Sequence, residues 1–475
     1  MKKSIAILFL TFLCQNSFAQ SGFRIEGQIN GLKGGNCILA NYSGTNLYPK
    51  DTAQADANGR VVFEGSKPLP GGIYEVVLPD LKTLIKLFIA DDQQFSFVAD
   101  TSDLIGSIKI KKCRDTQLFY DFQKFMKTKE DQANALREAK PKDLDKKTKE
   151  IQDQRKAFYD QFMKDNASSF AVKIFKASAE PELPPAPKLP NGKTDSTWLF
   201  NYYKAHFWDN FDFADERMLR TPFLQQKLDR YFKELTVQTE DSLNKEVDYV
   251  VGKAMAGKQK NVIGYTISYP FDEYQNPKVV GTEGVFVHVA EKYYYTGIMP
   301  LSDTSSLRQI KERVNVLKPL LVGKTIPDLG VLGLKDNMEF IHNLKGSYNV
   351  VFFYSPSCGH CREAAPKLKA FYDKYRTQGV DMMTIATEGT QEDWKKFVKE
   401  MHWENLTNGY GPVATRQLSY NKDYDVLTTP TVYVLDKNKK ILARRIGEAD
   451  LEPFLKMLQQ RALAQAKATK PTNNN

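Results

Sequence analysis

The pattern of apolar residues changes twice along this chain of 475 residues, and these changes constrain its fold more than any other feature. The first part is typical of short strands, the middle is typical of helices, and the last part alternates between the two. A single hydrophobic core stops growing at about 250–300 residues. The sequence therefore predicts a multidomain protein with an N-terminal all-β sandwich, a mostly α middle domain and a C-terminal α/β domain.

The first 19 residues have the features of an export signal. Two lysines precede an apolar run from Ile5 to Leu13, and the small residues Ser17 and Ala19 follow it. A membrane-spanning helix needs about 20 apolar residues, roughly twice this run. Cys14 is not preceded by the small residue that a lipidation signal uses. We therefore expect export to the periplasm or cell envelope, as a soluble or peripherally attached protein.

Residues 20–115 are predicted to form the β-sandwich. Six runs rich in β-branched and aromatic residues are separated by Gly-, Pro- and Asp-rich turns, a pattern that favours an antiparallel sandwich. The runs are FRIEGQI, NCILANY, GRVVFEG, GIYEVVL, LIKLFIA and FSFVAD.

Residues 116–320 are predicted to form the helical domain. Four apolar residues between Leu144 and Phe162 recur at intervals of seven and four, which places them on one helix face. The stretch 181–190 holds five prolines and predicts an extended loop. His288 lies in an apolar helical pattern, and we interpret it as a core residue rather than a catalytic one.

Residues 321–464 are predicted to fold in the order β-α-β-α-β-β-α, followed by a disordered tail at 465–475. The predicted strands are 348–354, 380–386, 431–436 and 441–447, and the predicted helices are 358–377, 390–401 and 450–463.

Four cysteines lie beyond the export signal. An exported protein can form disulfides, and the close spacing favours a pair between Cys358 and Cys361. This leaves Cys37 and Cys113 either free or paired with each other. Cys113 follows two lysines, so we expect it near the surface.

The segment YSPSCGHCREAAP places two cysteines where a predicted strand passes into a helix. Cys358 would lie at the helix N-terminus, where unpaired N–H groups and the helix dipole favour a thiolate. Cys361 would lie one turn further along the same face, suited to resolve a mixed disulfide. Pro366 falls inside the helix. We interpret the segment as a redox couple in which the disulfide itself is the redox group, with no bound cofactor and no metal.

The segment from Val322 to about Leu463 resembles the thioredoxin superfamily, and within it the TlpA/ResA-like envelope branch. Three marks occur in order: the C-x-x-C, the helix proline five residues later, and Thr429-Pro430 before TVYVLD. The stretch GKTIPD, residues 323–328, matches the start of that branch. The two upstream segments resemble a small β-domain and a helical domain of unknown activity that often precede envelope thioredoxins.

The resemblance implies a thioredoxin fold and thiol-disulfide exchange through Cys358 and Cys361. It implies a cis-proline at Pro430, packed against the couple, with Thr429 offering backbone groups to a bound thiol substrate. Gly447 matches the family's glycine on the same rim. The implied partners are protein thiols or disulfides of the envelope and a membrane or soluble thiol that recharges the couple.

The sequence departs from the family at several positions. Phe352 and Ala364 stand where relatives carry a buried acid and a glutamate, and Glu363, one residue early, is the candidate base. Gly359 and His360 separate the cysteines as in protein disulfide isomerase. A histidine in this place stabilises the thiolate and favours a potential above the roughly −270 mV of thioredoxin.

The sequence also allows other roles for the two cysteines. A structural zinc site needs four ligands, and His342 and His402 stand alone in the sequence. A peroxiredoxin-like peroxidase is another alternative. Its motif has a Ser or Thr where Ser355 lies, but it has a proline where this chain has Val351. An inert disulfide, or a binding or scaffold protein with a vestigial C-terminal domain, are further alternatives. The sequence has no Arg-aromatic pattern that indicates nucleic-acid binding.

Overall fold

The computed structural model describes residues 22–301, 303–417 and 419–468. The predicted export signal at 1–19, with Cys14, and residues 469–475 of the predicted tail lie outside this part. The chain forms two compact units, one of residues 22–235 and 253–263 and the other of residues 236–252 and 264–468.

The first unit begins with eight strands in two sheets of order β4-β1-β7-β8 and β3-β2-β5-β6. Buried side chains from both sheets share one apolar core, which confirms the predicted sandwich. The strands are β1 (Phe23–Asn30), β2 (Gly35–Ser43), β3 (Asn46–Ala55), β4 (Arg60–Gly65), β5 (Gly72–Val77), β6 (Leu84–Ile89), β7 (Gln94–Asp100) and β8 (Lys109–Lys111).

Three details of the sandwich differ from the prediction, one of them the short strand β8, of sequence KIK, which was not predicted. The pair β1 and β7 is parallel, with Ile25 opposite Phe95, whereas we expected antiparallel pairing throughout. Strand β3 was not predicted because its sequence, NLYPKDTAQA, is polar and contains a proline. Such a composition suits a strand at the edge of a sheet, which is where β3 lies.

The core of the sandwich also contains Cys37 and Cys113, both as free thiols. The prediction that Cys113 lies near the surface is wrong, because its side chain is 3% exposed. It precedes the first residue of the long helix α2 (Arg114–Ala139), and its Sγ lies 3.2 Å from Thr116 Oγ1. Burial raises the pKa of both thiols, that of Cys113 to about 11.

The same helix covers the free edge of strand β6. The backbone N–H of Lys86 donates to the Tyr120 hydroxyl at 3.0 Å, and that of Phe88 donates to Thr116 Oγ1 at 2.9 Å. These contacts satisfy donors that an edge strand would otherwise leave open.

The middle of the chain is helical, as predicted. Its helices are α1 (Leu104–Ser107), α2 (Arg114–Ala139), α3 (Leu144–Asp165), α4 (Phe170–Ser178), α5 (Ser196–His206), α6 (Phe223–Lys233), α7 (Glu240–Gly257), α8 (Lys260–Glu273), α9 (Gly284–Val289) and α10 (Thr304–Leu317). The proline-rich stretch 181–190 lies outside helices and named strands, with one isolated bridge from Lys188 to Thr194.

After α9 the chain continues as a π-helical turn at Ala290–Tyr294. His288 is half-buried and its Nε2 lies 2.9 Å from Asp248 Oδ1.

The C-terminal part contains a seven-stranded mixed sheet of order β10-β9-β13-β12-β11-β14-β15. Its strands are β9 (Gly330–Gly333), β10 (Met338–Phe340), β11 (Tyr348–Tyr354), β12 (Val380–Ala386), β13 (Thr407–Ala414), β14 (Thr431–Asp436) and β15 (Ile441–Arg444). Its helices are α11 (Gly359–Tyr375), α12 (Gln391–Glu400), α13 (Tyr420–Tyr424) and α14 (Leu451–Ala468).

Strand β11 lies inside this sheet and is buried on both faces. Phe352 and Tyr354 point into one apolar core and Val351 and Phe353 into a second, because successive side chains of a strand alternate between faces. The strand therefore holds its C-terminal end, and the segment that follows, in a fixed place.

The predicted order of elements in this part was incomplete. It lacked β9, β10, β13 and α13, and it placed the start of a disordered tail at residue 465, whereas α14 continues to Ala468. Across the described residues we find no helix with the length and apolar character required to cross a membrane.

Candidate active site at the C-x-x-C segment

The fold places the two cysteines at the junction between β11 and α11. Cys358 is the N-cap residue of α11, with extended backbone angles, and its Sγ accepts the backbone N–H of Cys361 at 3.4 Å. Gly359 begins the helix, and a side chain there would meet no atom within 4 Å. The face of the couple next to Gly359 is therefore open.

The two thiols differ in burial and in acidity. Cys361 is 0% exposed, and burial together with its contact to Cys358 raises its pKa to about 12. Burial also acts on the half-buried Cys358, but hydrogen bonds from the thiol and the backbone N–H of Cys361 outweigh it and lower its pKa. Near neutral pH the outer sulfur is thus the better nucleophile, and the inner sulfur keeps its proton.

The segment before β14 completes the immediate surroundings of Cys358. The peptide bond between Thr429 and Pro430 is cis, as the resemblance implied. The Cys358 thiol donates to the Thr429 carbonyl at 3.4 Å. The structure thus brings Cys358, Cys361, Thr429 and Pro430 together.

A cavity of about 390 Å³ lies beside Pro430. Phe352 and Ala364 both line it, so this part of the cavity wall is apolar. The charged residues at its wall are Arg445 and Glu448, and Glu448 pairs with Lys367 at 2.9 Å. Gly447 lines the same cavity, on the rim where the resemblance placed it.

The structure does not bring every predicted site residue to the sulfurs. The side chains of His360 and Glu363 are 85% and 77% exposed and lie 3.7 Å from each other. The Glu363 carboxylate therefore faces solvent, and its role as a base stays a prediction. Pro366 lies inside α11, as expected.

Arg362 supports the segment that leads into the couple, and the sequence analysis missed it. Its Nε donates to the Pro356 carbonyl at 3.1 Å, and its Nη1 donates to Glu400 at 2.9 Å. Its guanidinium also lies over the Phe397 ring, 5.1 Å from the centroid. An arginine on an amphipathic helix carries no signal in the sequence that would distinguish this role.

A buried group of charges surrounds Asp425, which follows α13 and precedes the cis-proline by five residues. The Asp425 carboxylate accepts hydrogen bonds from Arg313 and, at 2.6 Å, from Arg444. Arg445 Nη2 lies 2.9 Å from the same carboxylate, and Arg444 Nε donates to Glu283 at 3.0 Å. We call these five residues the Asp425 cluster. It was not predicted, because Glu283 and Arg313 lie more than 100 residues before the partners that they contact.

Comparisons with known proteins match three parts of the chain. Residues 346–441 match the "Thioredoxin-like" family, residues 23–129 match DUF4369 and residues 132–318 match DUF5106, both domains of unknown function. The thiol-disulfide oxidoreductase ResA of Bacillus cereus is 27% identical over 142 residues, which are 29% of this chain and 78% of that protein. The sporulation thiol-disulfide oxidoreductase A of Bacillus subtilis is 25% identical over 111 residues, 23% of this chain and 64% of that protein.

Solved structures are also similar to this chain. A domain of a possible thiol-disulfide isomerase from Cytophaga hutchinsonii is 31% identical, and the match covers 31% of this chain and 98% of that domain, with a TM-score of 0.29. A thioredoxin-like protein from Bacteroides caccae is 17% identical, and the match covers 59% of this chain and 99% of that protein, with a TM-score of 0.45.

The mixed sheet, the cysteine couple at a strand-to-helix junction and the family match define a thioredoxin-like thiol-disulfide oxidoreductase. Within that class the C-terminal domain is similar to the ResA thiol-disulfide oxidoreductases, and the chain carries two additional upstream domains. The predicted family and fold class are thereby confirmed.

Proposed function

We propose that this protein is exported and exchanges disulfides with protein substrates of the cell envelope through Cys358 and Cys361. The observation that carries the proposal is the asymmetry of the couple: an outer thiol with a lowered pKa and a buried inner thiol with a raised one. This asymmetry supports a first attack by Cys358 and a second by Cys361.

In the reducing direction, the Cys358 thiolate attacks one sulfur of a substrate disulfide. The substrate S–S bond breaks, a mixed disulfide forms, and the other substrate sulfur leaves as a thiolate that takes up a proton. Cys361 then loses its proton and attacks the Cys358 sulfur, which releases the second substrate thiol and leaves a disulfide between the two cysteines. The substrate gains two electrons and two protons, and the reverse sequence oxidises a dithiol.

The cis-proline segment is the proposed docking edge. Thr429 is the residue whose backbone would pair with the substrate, and the cavity beside Pro430 would accept a neighbouring apolar side chain. A membrane or soluble thiol of the envelope would return the couple to its starting state. The export signal at 1–19 supports this location, and fractionation of cells with and without those residues would test it.

Two cysteine variants test the exchange directly. Cys358→Ser should abolish turnover, because the attacking sulfur is gone. Cys361→Ser should accumulate mixed disulfides with envelope proteins, visible as dithiothreitol-sensitive adducts by mass spectrometry, because the resolving sulfur is gone. Cys37→Ser, at a buried thiol outside the site, is the matched control and should behave as wild type. A Cys361→Ser protein that captures no substrate would count heavily against exchange.

The equilibrium potential of the couple against glutathione separates the directions of flux. A value near −270 mV would indicate a reductase, and a value nearer −150 mV would indicate an oxidase or isomerase. The histidine between the cysteines favours the higher value. A couple that does not titrate would favour a scaffold role instead.

A further inference from the structure

We propose that Arg313 and Glu283, which belong to the helical region, are positioning residues for the exchange site. Through Asp425 and Arg444 they fix the segment 426–430, which carries the cis-proline and presents Thr429 to the substrate. This inference rests on the proposed function, and it gives residues upstream of the thioredoxin-like domain a part in the reaction.

Asp425 is the anchor from which the segment starts. Its side chain is 0% exposed, and it accepts from both Nη atoms of Arg313, the second at 3.2 Å. Its backbone carbonyl accepts from Arg445 Nη2 at 3.1 Å. Both the side chain and the main chain of Asp425 are therefore held in place.

After Asp425, Val426 is buried and its N–H donates to the Tyr420 carbonyl at 3.0 Å, but the next two residues have little support. Leu427 is 52% exposed, and Thr428 is also exposed. Within it, the Thr431 hydroxyl donates to the Thr428 carbonyl at 2.7 Å and closes the turn into β14. The Thr429 carbonyl then meets the Cys358 thiol at 3.4 Å. The position of this docking edge thus depends on its anchor.

The partners of the anchor come from distant parts of the chain. Arg313 lies in α10, and Glu283 immediately precedes α9. Both residues fall outside residues 346–441, which match the thioredoxin-like family. Glu283 is itself held, because its Oε2 accepts the backbone N–H of Gly281 at 3.1 Å. All of these residues belong to the same compact unit as the cysteine couple.

The chemistry of the cluster favours positioning over simple stabilisation. Three arginines and two carboxylates lie together with little exposure, and such buried ions are costly to desolvate. A well-packed apolar set could stabilise the same contact at least as well. What charge-assisted hydrogen bonds add is a fixed direction and distance, which a docking edge requires.

The test uses the reduced full-length protein in two single-turnover reactions. One is reduction of insulin disulfides, which requires docking of a protein substrate. The other is alkylation of Cys358 by iodoacetamide, which requires only an exposed thiolate. Arg313→Ala should lower the second-order rate constant with insulin about tenfold and change the alkylation rate less than twofold, because a displaced docking edge affects only the larger partner.

Three further variants complete the design. Glu283→Gln should give a smaller loss with insulin, and Arg313→Lys should recover part of the wild-type rate. Lys318→Ala, which removes the exposed ion pair with Glu291 in the same region, is the matched control and should change neither rate. If Arg313→Ala does not fold, Glu283→Gln and Arg313→Lys supply the comparison.

Two outcomes would overturn the inference. One is an unchanged insulin rate in the Arg313 and Glu283 variants. The other is an equal fall of both rates, which would show a general structural role. A wild-type protein that is alkylated but does not react with insulin would instead contradict the proposed function, and the inference with it.

Discussion

Cys358 and Cys361 are separated by two residues, yet the fold gives their sulfurs different environments. The outer sulfur caps α11 and accepts a backbone N–H, whereas the inner sulfur is enclosed by the core beneath the helix. The sequence was sufficient to predict that Cys358 lies at the helix N-terminus and Cys361 within the helix, because a strand precedes the pair and a helical pattern follows it. It was not sufficient to predict that Glu363 faces solvent, since a residue's direction on a helix depends on which face the core covers.

The rate of Cys358 alkylation should depend on pH in a way that reflects its lowered pKa. Because the thiolate is the reactive form, the rate should rise through a midpoint below 9, the ordinary value for a thiol. Cys361, with a pKa of about 12, should stay unmodified in the same range. Mass spectrometry of protein treated with iodoacetamide between pH 5 and 10 measures both. Faster modification of Cys361 than of Cys358 would contradict the assignment.

At the scale of elements, the predictions were correct where the apolar pattern of a strand was strong. They failed where contacts with neighbouring strands determine whether a strand forms. Strand β11, YNVVFFY, is a continuous apolar run and was placed correctly. Strand β13, TNGYGPVA, resembles a turn because of its glycines and proline, yet it lies between β9 and β12. A side chain at Gly409 would lie 2.3 Å from Val331, and one at Gly411 would lie 2.5 Å from the Ala386 carbonyl. These glycines serve close packing in the sheet, which a single sequence cannot reveal.

The hydrogen bonds between helix α2 and the edge of strand β6 can be tested by mutation. Thr116→Val keeps the shape of the side chain but removes the acceptor for the buried N–H of Phe88. We expect it to lower the free energy of unfolding by roughly 1–3 kcal/mol, the usual cost of an unpaired buried polar group. Thr116→Ser keeps the hydroxyl and is the control. Urea denaturation monitored by circular dichroism measures both, and equal stability of the two variants would contradict the role of the hydroxyl.

At the scale of the whole molecule, the Asp425 cluster should make stability depend on pH. Burial raises the pKa of Asp425, but hydrogen bonds from Arg313 and Arg444 outweigh it, so the pKa is lowered overall. A group whose pKa is lower in the folded state stabilises the protein above its unfolded pKa, about 3.9 for aspartate. This contribution is lost as the pH falls through the folded value.

Asp425→Asn should therefore be less stable than wild type at pH 7, by about 3–5 kcal/mol, because it leaves three arginines without their shared partner. The difference should narrow as the pH falls below about 4, because the unfolded wild-type carboxylate then takes up a proton while the folded one stays ionised to lower pH. Urea denaturation of both proteins between pH 3 and 7 measures the difference. A gap that stays constant to pH 3 would show that the charge of Asp425 contributes nothing.

The division into two units has a consequence for how the chain folds. The chain leaves the first unit after residue 235, returns to it for residues 253–263 and then leaves again. The first unit cannot be completed until residues 253–263 are in place, and residues 236–252 belong with partners that lie later in the chain. A chain that ended at residue 235 or 252 would therefore lack the last part of the first unit, residues 253–263.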